Sequence, residues 1–112
     1  MIDWYKKNIE IVTSVITVEE YSVNPYKINE LERISAFEKF IDYMEINIIN
    51  INKQIAKKAA QIRAEYKGFK AMDALQLATA VITECDVFLT NDKQLGQFKG
   101  IKCITMDELE QK

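Results

Sequence analysis

The chain has 112 residues, a length that supports one domain with a hydrophobic core of its own. Hydrophobic residues make up 48% of it and charged residues 29%, which is ordinary for a globular protein and argues against disorder. The net charge of −2 gives no overall basic footprint for nucleic acid, and nothing in the sequence indicates DNA. An acidic balance does not by itself exclude nucleic acid as a ligand, because a sequence count includes carboxylates but not the cations that they can bind.

The sequence argues against a membrane-spanning segment, a secretory leader and a zinc site. No apolar run approaches the ~20 residues that span a bilayer, and no basic-then-apolar leader precedes Ile9, so we expect a cytoplasmic protein. The sequence contains no His, and Cys85 and Cys103 do not form a Cys-x-x-Cys pair. These facts exclude a zinc site and favour two reduced, packed thiols over a disulfide.

The first half of the chain predicts one strand and two helices. Residues 9–14 are typical of a buried strand, and a helix is expected from near Thr17 to Asn24–Pro25. Residues 29–43 predict an amphipathic helix, because apolar side chains recur every three or four positions at Leu31, Ile34, Phe37, Ile41 and Met44. Residues 47–50 predict a short extended segment.

The second half continues the alternation. A helix is expected from Ile51 to a stop at Gly68, with one apolar stripe at Ile51, Ile55, Ala59, Ile62 and Tyr66. Residues 73–84 are apolar nearly all round and predict an internal helix, and residues 87–90 and 101–105 predict buried strands. Short helices are expected at residues 92–98 and 107–111. Strands that alternate with helices predict an α/β three-layer sandwich with a short parallel sheet containing residues 9–14, 87–90 and 101–105.

Carboxylates fall where such a sheet builds its sites. Ligands of α/β sheets gather outside the carboxyl ends of the strands. The strand at residues 87–90 ends on Asn91 and Asp92, and Asp73 heads the preceding helix, so both carboxylates are expected at one edge. They would repel each other unless a cation lay between them, and Mg²⁺ or Mn²⁺ is the usual cation of an all-oxygen site.

The pattern resembles the PIN-domain nucleases, especially the VapC-like toxins of prokaryotic toxin–antitoxin pairs. The downstream match is an Asp, an apolar helix and a strand that closes on Thr-Asn-Asp, here Asp73…Ala78-Thr79-Ala80…Phe88-Leu89-Thr90-Asn91-Asp92. An upstream match, Ser14-Val-Ile-Thr17-Val-Glu-Glu20-Tyr, resembles the family's strand, Ser/Thr-rich turn and helix with a metal-binding Glu. The resemblance implies an endoribonuclease of the cytoplasm whose catalytic metal ligands are Glu20, Asp73 and Asp92, with Thr90 or Asn91 orienting water or phosphate. It also implies Mg²⁺ or Mn²⁺ as cofactor, RNA as substrate and an antitoxin-like protein as partner.

One departure from the family pattern changes these expectations. The family begins with a central strand that ends in Leu-Asp-Thr-like residues, whose Asp is the first metal ligand. No such segment precedes residues 9–14, and Asp3 cannot take that role, so residues 1–112 are expected to form a single incomplete PIN-like domain without its first central strand. We therefore expect weak metal binding and little or no cleavage. The alternative is a non-catalytic PIN-like remnant that binds a protein partner or its own copy. A homodimer is expected, because the apolar side chains of Trp4, Tyr5, Ile9 and Ile11 crowd that end.

Each candidate also has a purely structural interpretation. Thr17 to Glu20, Asp73 to Gln76 and Asn91 to Gln94 all have the spacing of helix capping boxes. A series of basic side chains could carry RNA backbone or could simply be a solvated helix face, namely Lys53, Lys57, Lys58, Arg63, Lys67 and Lys70. Trp4, Tyr5 and Tyr26 could stack on bases or could pack at a contact surface. The sequence alone leaves these alternatives open.

Overall fold

The computed structural model describes residues 9–91, 95, 96, 98, 100–106 and 108. Strands and helices alternate along it. In chain order the elements are β1 (Ile11–Ser14), α1 (Val15–Lys27), α2 (Leu31–Tyr43), β2 (Asn47–Ile49), α3 (Lys53–Glu65), α4 (Ala71–Thr83), β3 (Val87–Thr90) and β4 (Cys103–Thr105). None of the described helices is long and apolar enough to cross a membrane.

The strands form one parallel sheet in the order β2-β1-β3-β4. β1 pairs with β2 on one side and with β3 on the other, and β4 lies outside β3. The extended segment expected at residues 47–50 is the edge strand β2. The predicted fold class, an α/β domain with a short parallel sheet, is confirmed.

One face of the sheet is covered by α1 and α2. Ile11, Leu89 and Ile104 on the strands pack in one cluster with Phe37 and Ile41 of α2. Val18 and Tyr21 of α1 pack against the same cluster, and the ring of Tyr21 stacks on that of Phe37 with centroids 4.1 Å apart. Alternating residues of a strand point to opposite faces, so this cluster takes one residue in two from each strand.

The other face is covered by α4, with α3 beside it. Val12 and Phe88, which are paired across β1 and β3, pack against Ala80 of α4. Ile55 of α3 packs against Leu77 of α4 in a neighbouring cluster, and both side chains are almost fully buried. The three predicted layers are therefore the pair α1 and α2, the sheet, and the pair α3 and α4.

The structure corrects the predicted start of the first helix. α1 begins at Val15, directly after β1, because the Ser14 side chain caps it by accepting hydrogen bonds from the N–H groups of Ile16 and Thr17. Thr17 is the third residue of this helix and is fully buried, so it is not the N-cap residue that a capping box with Glu20 requires. The predicted capping box between Thr17 and Glu20 is therefore wrong. The helix also continues past Pro25 to Lys27. A proline this close to the end of a helix removes only one hydrogen bond, that of its missing N–H, so the last turn still forms. The short helices expected at residues 92–98 and 107–111 lie largely outside the described residues.

β1 and β3 are direct neighbours in the sheet. They share the register Ile11↔Val87 and Val12↔Phe88, and the N–H groups of Asp86 and Val87 both donate to the Glu10 carbonyl. The sheet is therefore continuous within one chain. Ile11 is buried in this monomer, so it does not contribute exposed apolar area to a dimer, while Trp4 and Tyr5 lie outside the described residues. The homodimer stays a prediction.

Candidate functional site

The carboxyl edge of the parallel sheet lies where β1 and β3 end. β1 ends at Ser14 and passes directly into α1, and β3 ends at Thr90. α4 precedes β3 through a short turn, so its carboxyl end lies near the start of β3 and its amino end, with Asp73, lies toward the carboxyl edge. The edge therefore receives the first turn of α1, the first turn of α4 and the end of β3.

Backbone pairing between β1 and β3 stops before this edge, and threonine side chains take its place. The ladder ends at Val12↔Phe88. One residue further on, the Thr13 hydroxyl donates to the Leu89 carbonyl at 2.6 Å. The Thr17 hydroxyl lies 3.4 Å from the same carbonyl oxygen. The buried Thr13 hydroxyl therefore supplies the donor that this carbonyl requires in the interior, and the more distant Thr17 hydroxyl is a second group that could serve it.

Gln76 connects the elements around this edge. Its side chain is 1% exposed, and its Oε1 accepts hydrogen bonds from the Thr17 hydroxyl at 2.8 Å and from the Thr90 hydroxyl at 3.3 Å. We call these three side chains the Gln76 network. It joins α1, α4 and β3, whose residues are far apart in sequence, and its burial makes each hydrogen bond costly to break.

Sequence reasoning gave Gln76 no role beyond a capping box. The structure shows a different arrangement, in which the N-cap residue of α4 is Lys70 and the Asp73 carboxylate accepts from the Lys70 backbone N–H at 3.2 Å. Asp73 therefore does cap the helix, but from its third residue, and Gln76 is free to face inward. The sequence did contain a sign of this role, since Gln76 is the one amide side chain in the most apolar helix of the chain. A buried amide must have a hydrogen-bond partner, so such a residue indicates a polar contact in the interior.

The three predicted metal ligands differ in their exposure and in whether the structure describes them. Asp73 is partly exposed at the amino end of α4. Glu20 is exposed on α1, three residues after Thr17. Asp92 lies outside the described residues, so the predicted approach of Asp73 and Asp92 to within about 8 Å, the separation a shared divalent ion allows, stays a prediction.

The donor chemistry of this edge suits a hard cation, but the described part of it is sparse. Carboxylate and hydroxyl oxygens are the ligands that Mg²⁺ and Mn²⁺ prefer. Within the described residues, no group of three or more His, Cys, Asp and Glu side chains is placed to hold a metal ion. Glu20 and Asp73 alone do not complete a site, and Asp92 would have to contribute.

The predicted substrate-orienting residues differ in exposure. Thr90 is fully buried and its hydroxyl donates into the Gln76 network, whereas Asn91, the next residue, is exposed. Of the two, Asn91 has the side chain that an incoming group would meet first.

The basic side chains that the sequence grouped together differ in exposure. Those exposed on α3 and the following loop are Lys53, Lys57, Arg63, Lys67 and Lys70, while Lys58 is half-buried. Tyr26 is 63% exposed at the end of α1, on a different part of the surface. Lys67 and Lys70 lie in the loop before α4, six and three residues before Asp73.

The two cysteines are free, as predicted. Burial raises the pKa of the Cys103 thiol to about 11, with a further contribution from Cys85 nearby. Burial also raises the pKa of Cys85. Both thiols are thereby kept neutral at ordinary pH, which suits packing groups rather than nucleophiles or metal ligands.

The protein is a small α/β domain, in which a parallel sheet lies between two helical layers and polar groups gather at the carboxyl edge of the sheet. Domains of this kind bind their ligands at that edge. The family model of the PIN domain matches residues 2–101, and the chain belongs to the PIN domain family. Among solved structures, a chain of a toxin–antitoxin complex from Klebsiella pneumoniae is similar at 29% sequence identity and a TM-score of 0.59, over 82% of this chain and 70% of that one. No curated protein matches this chain.

Proposed function

We propose that this chain is a toxin-type PIN domain that cleaves RNA with the help of Mg²⁺ or Mn²⁺ and is held by an antitoxin-like protein partner. Family membership supports a nuclease, and the similarity to a chain of a toxin–antitoxin complex supports the toxin class and the partner. In this proposal Glu20, Asp73 and Asp92 are the catalytic metal ligands.

The observation that carries the proposal is the Gln76 network. Each proposed ligand lies two or three residues from one of its members: Glu20 follows Thr17, Asp73 precedes Gln76 and Asp92 follows Thr90. Residues three apart on a helix share a face. Hydrogen bonds that fix Thr17, Gln76 and Thr90 against one another therefore favour the three carboxylates approaching one another at the same edge.

The chemistry follows from carboxylates and water. A bound divalent ion supplies a water of lowered pKa and neutralises negative charge on the phosphate. In this proposal the three carboxylates would hold the ion. Asn91, whose side chain is exposed at the end of β3, would donate its amide N–H to a phosphate oxygen or to the water. No side chain need act as nucleophile, in agreement with the absence of His from the sequence.

Cleavage is expected to be weak. Three carboxylates hold a divalent ion less tightly than four, because each contributes to the negative field at the cation. We therefore expect activity with Mn²⁺ at millimolar concentration in preference to Mg²⁺, since Mn²⁺ lies above Mg²⁺ in affinity for nitrogen and oxygen ligands and tolerates irregular geometry better.

The proposal is tested by charge removal without loss of the helix cap. Asp73→Asn keeps an oxygen that can accept from the Lys70 N–H, and Asp92→Asn removes the second carboxylate. The matched control is Asp42→Asn, since Asp42 is an exposed acid of α2. Mn²⁺ affinity is measured by calorimetry, and cleavage is measured on a labelled RNA of mixed sequence.

We expect both variants to lose Mn²⁺ binding and cleavage while Asp42→Asn keeps them. A chain that binds no Mn²⁺ and leaves RNA intact at any metal concentration would contradict the ribonuclease proposal. Equal losses in all three variants would contradict the assignment of the ligands.

A second candidate function is a non-catalytic module that binds a protein. The observation that favours it is a set of exposed apolar side chains at the junction of α1 and α2, namely Val23, Tyr26, Ile28 and Leu31, which are 39%, 63%, 51% and 54% exposed. Exposed apolar patches on small domains are typical of protein contacts. A homodimer is one such contact, and light scattering tests it: we expect twice the 13.0 kDa of one chain, and a stable monomer at micromolar concentration would contradict it.

A further inference from the structure

The loop between α3 and α4 combines an exposed aromatic ring with two lysines. It runs from Tyr66 to Lys70 and contains no acidic residue. Tyr66 is 47% exposed, and Lys67 and Lys70 are both exposed. Aromatic rings beside basic side chains are the components of sites that bind single-stranded nucleic acid, because a base stacks on the ring while the lysines meet the phosphates.

The Tyr66 ring is held from behind by two further rings. Its centroid lies 5.3 Å from that of Phe98, with the rings at 64°, and 6.1 Å from that of Phe69. Phe69 and Phe98 are partly buried and are themselves 6.1 Å apart. The three rings form one cluster whose outer member is half open to solvent, so the stacking surface is already oriented and little side-chain entropy is lost on binding.

The loop leads directly to the proposed catalytic edge. The backbone N–H of Lys70 donates to the Asp73 carboxylate at 3.2 Å, which fixes the end of the loop against the proposed metal ligand. The amino end of α4 adds the positive end of a helix dipole to the two lysines. Phosphates on this loop therefore meet positive charge close to Asp73, although the chain as a whole is acidic.

We propose that this loop is a binding site for single-stranded RNA, in which one base stacks on Tyr66 and the flanking phosphates contact Lys67 and Lys70. The inference rests on the proposed ribonuclease function and identifies this loop as the part of the chain that holds the RNA next to the proposed ligand Asp73. A single strand is specified because a ring can stack only on a base that is not already covered by its neighbours, which an intact duplex does not offer.

Binding is measured without catalysis, so that this inference and the proposed function can fail separately. The probe is a fluorescently labelled single-stranded oligoribonucleotide of mixed sequence, followed by anisotropy in EDTA, where neither metal binding nor cleavage occurs. The wild-type chain is expected to bind it more tightly than the same sequence annealed into a duplex.

The ring is tested with three substitutions at one position. Tyr66→Phe keeps the ring and is expected to bind as the wild type does. Tyr66→Leu keeps apolar packing against Phe98 without a flat ring, and Tyr66→Ala removes both. The last two are expected to weaken binding by about five- to 100-fold, the loss that follows removal of one stacked aromatic ring. The control is Tyr43→Ala, because Tyr43 is 76% exposed on α2.

The charges are tested by salt dependence. In the double variant Lys67→Ala with Lys70→Ala, the slope of log affinity against log salt is expected to fall by about 1.4, the value for two phosphate contacts on a single strand. Lys57→Ala, the matched control on the exposed face of α3, should change the slope by much less.

Thermal unfolding is recorded for every variant, because Tyr66 also packs within the aromatic cluster. If Tyr66→Leu is folded and binds RNA as tightly as the wild type, the rings serve packing alone and the site is refuted. The proposed binding site is also refuted if the wild-type chain does not bind the single-stranded oligoribonucleotide in EDTA. Loss of cleavage in the presence of normal binding would count against the proposed function instead.

Discussion

Removal of the Thr17 hydroxyl and of the Gln76 amide should show that the Gln76 network acts as one unit. Thr17→Val replaces a buried hydroxyl with a methyl group of similar size, and Gln76→Leu replaces the amide with an apolar side chain of similar volume. Both changes preserve packing, so any loss of stability reports on hydrogen bonds across α1, α4 and β3.

The magnitude follows from counting partners. Thr17→Val removes a bond of 2.8 Å but leaves Gln76 Oε1 its second donor, Thr90, so the expected cost is about 1 kcal/mol. Gln76→Leu deprives two buried hydroxyls of their acceptor, although Thr17 can still turn to the Leu89 carbonyl, and should cost about 1–2 kcal/mol. The double variant should cost less than the sum, with a coupling of about 1 kcal/mol, because the same hydrogen bond is removed only once.

Urea unfolding followed by circular dichroism measures these values, since a domain of this size is expected to unfold in two states. The control pair is Gln76→Leu with Thr83→Val. The Thr83 hydroxyl bonds to the Thr79 carbonyl within its own helix at 2.8 Å. Thr83 also lies about 10 Å further along α4, so its coupling to Gln76 should be below about 0.5 kcal/mol. Coupling between Thr17 and Gln76 no larger than in the control pair would refute the network.

Three further predictions concern single positions. Leu77→Ala should destabilise the domain by about 3–5 kcal/mol, because Leu77 is fully buried between α3 and α4 and leaves a cavity; chemical denaturation checks this, and a loss below about 1 kcal/mol would contradict it. Asp73→Ala should lower stability by about 1 kcal/mol through loss of the acceptor for Lys70 N–H, whereas Asp73→Asn should lower it less; equal melting temperatures for the two would contradict the capping role. The raised pKa of Cys103 means that the folded state keeps its thiol proton where the unfolded state loses it. Stability is therefore retained below the ordinary thiol value of 9.0 and falls as pH rises toward about 11, and Cys103→Ala should flatten that fall in unfolding curves recorded between these pH values.

The sequence predicted the order and kind of the elements well. Apolar stripes at helical spacing and short apolar runs depend on residues close in the chain, so α2, α3, α4, β3 and β4 lie near the positions that their patterns indicated. The placement of Asp73 toward the carboxyl edge also follows from local order, since a helix that precedes a parallel strand must begin near the end of that strand.

The start of α1 was wrong because two capping residues competed. Ser14 and Thr17 are both favourable N-caps, and their local spacing does not rank them. Packing decided in favour of Ser14, since Thr17 is needed in the interior, where it reaches Gln76 across 59 residues of sequence.

What the sequence by itself determined is therefore the α/β class, the element order, the free and partly buried thiols and the family to which the chain belongs. Only the tertiary structure decided that β1 pairs directly with β3, that Thr13 supplies a donor to a carbonyl 76 residues away, and that Gln76 is the common acceptor at the candidate site. The physical reason is that periodicity and capping are set by neighbours in sequence. Strand partners and buried polar contacts are set instead by which donors and acceptors the packed layers bring together, and no local pattern specifies that.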